Sequence, residues 1–193
     1  PDGRHLVFTS NRRGVSNLFW QAVDATGTAE RLVESAEVQA PMSVSPDGHR
    51  IVIRQGFPNF DLMMLNLEGD HRIDALVTGP FVEDGGVISP GDARWLAYSS
   101  NESGQFEIYV RPFPAVNAGR WQVSTAGGVQ PLWARNGREL FYVAPTGDVM
   151  GVQVSAGRDD WTATAPAKVI AANRYFFGGT GADFDEDDAD SAL

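Results

Sequence analysis

The chain has 193 residues, 42% of them hydrophobic, enough apolar material for a globular core. Its formal charge of −10 rules out the basic stripe that nucleic acid requires, and the absence of cysteine rules out a disulfide framework or thiolate metal site. No apolar run approaches the roughly 18 residues that cross a bilayer, so no membrane contact is expected of this stretch, while 21 glycines and 11 prolines supply the frequent turns of an all-β chain.

The first element is a turn, Pro1-Asp2-Gly3. Its glycine can take positive φ, and its aspartate can accept from the backbone two residues on. The signal returns as Pro46-Asp47-Gly48, Pro90-Gly91-Asp92-Ala93 and Arg135-Asn136-Gly137, with Asp2, Asp47, Asp92 and Asn136 spaced 45, 45 and 44 apart. A period in the forties with β-rich contents belongs to propeller blades. After each turn comes a short strand that is apolar on both faces, as packing between two other sheets requires: Leu6-Val7-Phe8, Ile51-Val52-Ile53, Leu96-Ala97-Tyr98 and Leu140-Phe141-Tyr142.

Residues 6–20 align without gaps on 96–110, pairing Asn11 with Asn101 and Gly14 with Gly104. A second strand is expected at 18–23, 62–67, 108–113 and 149–154, and a third at 29–33, 73–77, 120–124 and 167–171. A fourth, Met42-Ser43-Val44 or Leu132-Trp133-Ala134, runs into the next turn. No segment has helical periodicity. The expected fold is an all-β β-propeller of about four consecutive four-stranded blades, at 1–44, 45–88, 89–133 and 134–178 within a propeller region of 1–182. Residues 183–193 form an acidic tail, expected to be disordered. It holds Asp183, Asp185, Glu186, Asp187, Asp188 and Asp190, and removing those six charges leaves −4 on the blades.

The repeated Ser-Pro-Asp-Gly-Arg-x-Leu-x-(Phe/Tyr)-x-Ser-Asn pattern resembles the TolB-like, WD-type β-propeller repeat family over about residues 1–180. The stretch 108–145, with Tyr109-Val110-Arg111-Pro112-Phe113-Pro114 and Gly119-Arg120-Trp121-Gln122-Val123-Ser124, is similar to the C-terminal propeller of bacterial serine/threonine protein kinases, whose repeats lie outside the membrane. That resemblance implies a periplasmic or extracytoplasmic location. Related repeats form the protein-binding propeller of TolB and the gating propeller of prolyl-oligopeptidase-type serine peptidases, so the repeat is specific for fold and poor for function. The sequence opens inside a repeat, without the inner strand that should precede Pro1. Near its other end, Asp183-Phe184-Asp185 starts a further blade that the acidic string replaces. Both features lead us to expect part of a six- or seven-bladed propeller, with incomplete first and last blades.

Catalytic patterns are missing. There is no Gly-x-Ser-x-Gly elbow, no His-Arg-Asp loop, no Asp-Phe-Gly, and no Walker or Rossmann glycine spacing, since Gly178-Gly179-Thr180-Gly181 lacks the context. No cofactor is expected. His5 and His49 flank equivalent turns and His71 follows Glu68-Gly69-Asp70, so all three read as surface turn residues with no metal-ligand spacing. Asp183, Asp185 and Asp187 alternate like a calcium loop, but Asp188 stands where glycine is needed.

The turn residues Asp2, Gly3, Asp47, Gly48, Asp92, Asn136 and Gly137 read as structural, the aspartates fixing their own turns; lining a ligand-binding rim is the other reading. Trp133 reads as core, and Trp20, Trp95 and Trp121 as inter-blade packing, with an exposed edge as the alternative. Arg111-Pro112-Phe113-Pro114 reads as a strand end. The expected function is non-catalytic binding of a protein or small ligand, as the sensor propeller of a receptor-type kinase; the alternatives are the substrate gate of a prolyl-oligopeptidase-type peptidase and a TolB-like periplasmic protein-binding propeller. The expected partner surface is the variable hairpins, Asn11–Ser16, Phe57–Phe60 and Asn101–Gln105, with Arg12, Arg13, Phe57, Asn59, Glu102 and Gln105 as candidate contacts. The remaining blades of a parent propeller are the other expected partner.

Overall fold

Runs that are apolar at every position can be buried only if both faces of the strand are covered, and that is how the central strands sit. The computed structural model describes residues 3–157 and 160–172. The expectations for Pro1, Asp2 and the acidic tail fall outside those residues. The elements in order are β1 (His5–Ser10), β2 (Asn17–Ala22), β3 (Glu30–Arg31), β4 (Gln39–Val44), β5 (Arg50–Gln55), β6 (Asp61–Asn66), β7 (Ile73–Val77) and β8 (Glu83–Ile88). They continue with β9 (Trp95–Ser100), β10 (Glu107–Pro112), β11 (Trp121–Gln122), β12 (Val129–Trp133), β13 (Glu139–Val143), β14 (Val149–Ala156), β15 (Trp161–Ala163) and β16 (Ala167–Ile170). Among the described residues the only helical element is a 3₁₀ turn at Val116–Ala118.

These strands form four antiparallel sheets: β1-β2-β3, β4-β5-β6-β7, β8-β9-β10-β11, and β12-β13-β14-β15 with β16 also on β14. The second and third have four strands, the fourth has five, and the first has three among the described residues. The sheets are offset by one strand from the repeat units read from the turns. Each turn is a tight hairpin, with Ser45 N donating to Arg50 O and Ala134 N to Glu139 O, so the strands on its two sides must pair with each other. A unit cut at the turn therefore divides a sheet, and β4, β8 and β12 are the inner strands of the sheets that follow.

Three apolar layers lie between the four sheets. Leu18 and Leu32 of the first sheet meet Ile51, Ile53 and Leu65 of the second. Val52 and Leu62 of the second meet Leu96, Tyr98 and Tyr109 of the third. Trp95, Ala97 and Ile108 of the third meet Trp133, Leu140 and Val152 of the fourth. Alternation along single strands produces this layering: Ile51 and Ile53 point one way and Val52 the other, as do Trp95 and Ala97 against Leu96 and Tyr98. The sheets approach closely at Gly86, where an added Cβ would lie 2.8 Å from Val52 Cγ1. β1 departs from the expected burial. Among the described residues it pairs only with β2, and Leu6 is 59% exposed.

Successive sheets are also fastened by a recurring polar contact. The first N–H of each inner strand donates to the carbonyl that ends the hairpin of the preceding sheet: Gln39 to Ser16, Glu83 to Phe60, and Gly128, one residue ahead of β12, to Phe106, all at 2.8 Å. The next side chain, at the start of the strand after the hairpin, accepts from the connector that leads onward. Asn17 Oδ1 takes Ser35 N, Asp61 Oδ1 takes Gly79 N, and Glu107 Oε1 takes Gly127 N. In the fourth sheet Asp148 Oδ1 takes Ala172 N. Asn17, which is buried, also donates to the Ser35 and Glu37 carbonyls.

Asn17→Ala removes all three contacts and leaves connector groups without their partner. We expect a loss of about 1–2 kcal/mol, seen as a fall in Tm of about 2–8 °C by differential scanning calorimetry. An unchanged Tm would mean that the connector is held by the apolar layers alone.

Candidate functional site: the hairpin face

In antiparallel sheets successive turns fall at alternate ends, which sorts the loops onto two faces. On one, the turn face, lie the turns 45–49, 89–94 and 134–138 and the loops that follow β2, β6 and β10. On the other, the hairpin face, lie the hairpins 11–16, 56–60, 101–106 and 144–148 and the connectors 32–38, 78–82 and 123–128.

The turn face holds the repeat residues. Asp47 Oδ1 accepts from His49 N at 3.0 Å and from the Ser45 hydroxyl. The hydroxyl and then the amide hold its carboxyl below the ordinary value. Asn136 Oδ1 accepts from Arg138 N at 2.9 Å. Gly3, Gly48 and Gly137 have φ of 65°, 78° and 69°, the left-handed region where glycine alone is unstrained. Asp92 is different. Its turn is one residue longer, closing between Ser89 N and Trp95 O, and its positive φ values fall at Gly91 and Ala93. Asp92 pairs with the Arg94 guanidinium instead of holding backbone.

His49 Nδ1 lies 3.0 Å from Glu68, His71 Nδ1 lies 3.2 Å from the Leu32 carbonyl, and the His5 ring stacks on Trp20. No group of three potential metal ligands occurs among the described residues. A groove of about 670 Å³ opens between Leu6, Val7 and Trp20 and the inner-strand residues 41–44, and reaches the turn residues Asp47, Gly48 and His49. The tryptophans pack between sheets. Trp95, Trp133 and Trp161 are buried, Trp121 sits 5.4 Å from Trp95, and Trp133 Nε1 donates to Val87 O. Arg111-Pro112-Phe113-Pro114 ends β10, and Phe113 enters the layer between the second and third sheets.

The six candidate contacts all lie on the hairpin face. Arg13, Phe57, Asn59 and Gln105 are exposed. Arg12 is exposed too, with its guanidinium over the Phe8 and Phe19 rings. Glu102 is half-buried and pairs with Arg120 at 2.6 Å. The structure adds residues that the repeat did not single out. Of the ten exposed large apolar side chains among the described residues, five lie on this face: Val15, Val38, Phe57, Phe81 and Phe106, with Phe57 76% exposed. On the turn-face side are Val23 and Leu6, the latter lining the groove that runs to Asp47, Gly48 and His49. Such gathering of apolar groups on one side is not expected of a surface that only meets water. Hydrogen bonds link the loops that carry these five in series. Gln39 N donates to Ser16 O, Gly56 N to Val38 O, Glu83 N to Phe60 O, and Val82 N to the Asn101 side chain.

Beneath this rim lie acceptors with no donor. Gln39 and Glu83 occupy equivalent positions at the start of β4 and β8. Both are buried, and Gln39 Oε1 and Glu83 Oε2 each lack a hydrogen-bond partner. Burial raises the Glu83 pKa above the ordinary glutamate value. The Ser100 hydroxyl bonded to it opposes that shift, and the charges of Asp61 and Glu102 add to it.

No family model matches the chain and no curated protein matches it in sequence. Solved structures do match. A putative TolB from Agrobacterium tumefaciens is similar with a TM-score of 0.69 at 18% identity, over 87% of this chain and 63% of that one. TolB from Acinetobacter baumannii gives 0.63 at 15% identity, over 88% and 43%. Prolyl oligopeptidase B from Galerina marginata gives 0.60 at 11% identity, over 86% and 26%. The fold is a β-propeller, and the chain spans less than two thirds of the length of these structures.

Glu83 binds its proton more tightly folded than unfolded. Its ionisation therefore costs stability as pH rises through the raised value, and costs nothing once the pH is below the ordinary carboxylate range. Glu83→Gln keeps an acceptor for Ser100 and removes the charge. We expect it to raise stability by on the order of 1 kcal/mol at neutral pH, with the gain shrinking toward zero in acid, read from urea midpoints at both pH values. A gain that is the same in acid would show that charge is not the cause.

Proposed function

We propose that this chain is a protein-binding propeller module that acts through its hairpin face and not by catalysis. The observation that carries the reading is the gathering of Val38, Phe57, Phe81 and Phe106 on one face, while the opposite face is occupied by polar turns that bond to themselves. Exposed phenylalanines in series suit a partner that buries them, since aromatic side chains dominate the centres of protein interfaces. The resemblance of residues 108–145 supports a setting outside the cytoplasm, as the sensor portion of a bacterial receptor-type serine/threonine kinase. The whole reading frame tests that setting. A kinase domain and a membrane helix upstream agree with it, and a Gly-x-Ser-x-Gly hydrolase domain downstream contradicts it.

The surface is tested by site-specific photo-cross-linking in the source cells, with the reactive group at Phe57 or Phe106 on one face and at His49 or Asp92 on the other. The expected result is a discrete protein adduct from the hairpin face only, lost when Phe57, Phe81 and Phe106 are all changed to serine. Adducts from the turn face alone would refute this assignment.

A further inference from the structure

The charges on the hairpin face are unevenly satisfied. Glu102 is answered by Arg120, Asp84 by Arg54 and Asp148 by Lys168, at 2.6–2.9 Å. Asp61 and Glu83 have no ion-pair partner among the described residues, and Asp61 accepts a single bond, from Gly79 N. Asp61 directly follows Phe60, whose ring lies 6.2 Å from Phe57 and whose carbonyl binds Glu83 N. The partly exposed carboxylate thus sits inside the apolar rim. Behind it are two fully buried acceptor oxygens, Gln39 Oε1 and Glu83 Oε2, without donors. A site that combines aromatic surface, an unpaired carboxylate and orphaned acceptors asks for a group that only donates. Among protein side chains those are the ammonium of lysine and the guanidinium of arginine.

We infer that the hairpin face takes a segment of a partner protein in which apolar side chains flank a basic one, the apolar groups resting on Phe57, Phe81 and Phe106 and the cation meeting Asp61. This rests on the docking reading above and narrows it to one kind of partner. Aromatic walls lower the local dielectric and strengthen the charge pairing, while Asp61 fixes where along the face the segment stops. An acidic segment is repelled at the same place, so the pairing works as much by exclusion as by attraction. Arg12 and Arg13 stand on the neighbouring first-sheet hairpin, and Arg54, whose guanidinium lies 4.6 Å from the Phe60 ring, pairs with Asp84; none of the three forms an ion pair with Asp61.

The test uses the full chain and three synthetic peptides, Gly-Phe-Arg-Leu-Arg-Phe-Gly and its counterparts with glutamate or glutamine at both arginines, followed by fluorescence anisotropy. The arginine peptide is expected to bind about tenfold more tightly than the glutamine peptide at low salt, and the glutamate peptide more weakly still. Asp61→Asn keeps the acceptor for Gly79 N, so the chain remains folded by circular dichroism while the arginine preference disappears. Phe57→Ser weakens all three peptides. Equal binding of the three peptides to the unmodified chain overturns the inference and leaves the docking reading standing. Binding by none of them also overturns it, and the cross-linking result then decides the docking reading by itself.

Discussion

One polar contact recurs between each sheet and the next, where the strand after each hairpin begins. A backbone carbonyl (Ser16, Phe60 or Phe106) takes the first N–H of the next inner strand, and the following side chain (Asn17, Asp61 or Glu107) takes an N–H of the connector. The apolar layers between sheets are large but directionless, since dispersion and burial reward contact without fixing register. The polar fastening supplies register. Gly86 shows how tight the tolerance is, because an inner strand displaced even slightly would drive its neighbours into Val52 and Leu62.

The same fastening shapes the hairpin face. Hairpins and connectors would otherwise be independent surface loops. Here each hairpin is bonded to the connector that follows it, and Asn101 adds a second clasp to Val82 through both its amide and its side chain. Phe57, Phe81 and Phe106 are therefore carried on backbone that is held at both ends. A rim arranged in this way would lose little conformational freedom in the docking proposed above. Glu83 is part of the cost. Its N–H serves the fastening, and its carboxylate is thereby buried with one oxygen unsatisfied.

Much of the fold was legible in the sequence because local rules and tertiary demands agree there. Pro46-Asp47-Gly48 makes its turn with its own side chain, and Ile51-Val52-Ile53 can be stable only between two sheets. β8 was harder to read, since Glu83-Asp84-Gly85-Gly86 has the composition of a loop; it is a strand through its pairing with β9, and Val52 and Leu62 leave no room for a side chain at Gly86. β15, three residues beside Asp160, gives no period to follow. Asp92 shares spacing with Asp47 but not its role, since an inserted residue moves the positive φ to Gly91 and Ala93. The fastening side chains were hidden by their variety: asparagine, aspartate and glutamate at unequal spacing do the same work on different connectors. For the site, variable hairpins pointed to Phe57 and Gln105, whereas Val38 and Phe81 stand in connectors whose face is set by topology alone.

The central claim, that the polar fastening and not apolar layering alone locks sheet to sheet, is tested most directly by native-state hydrogen exchange read residue by residue by NMR. The amides of Ser35, Gln39, Gly79, Glu83, Gly127 and Gly128 are predicted to exchange only through unfolding of the whole propeller, as slowly as those of Ile53 and Tyr98 in the central strands. Rapid exchange of these six amides beside protected central strands would show that the connectors open freely and that the layers hold the sheets without them.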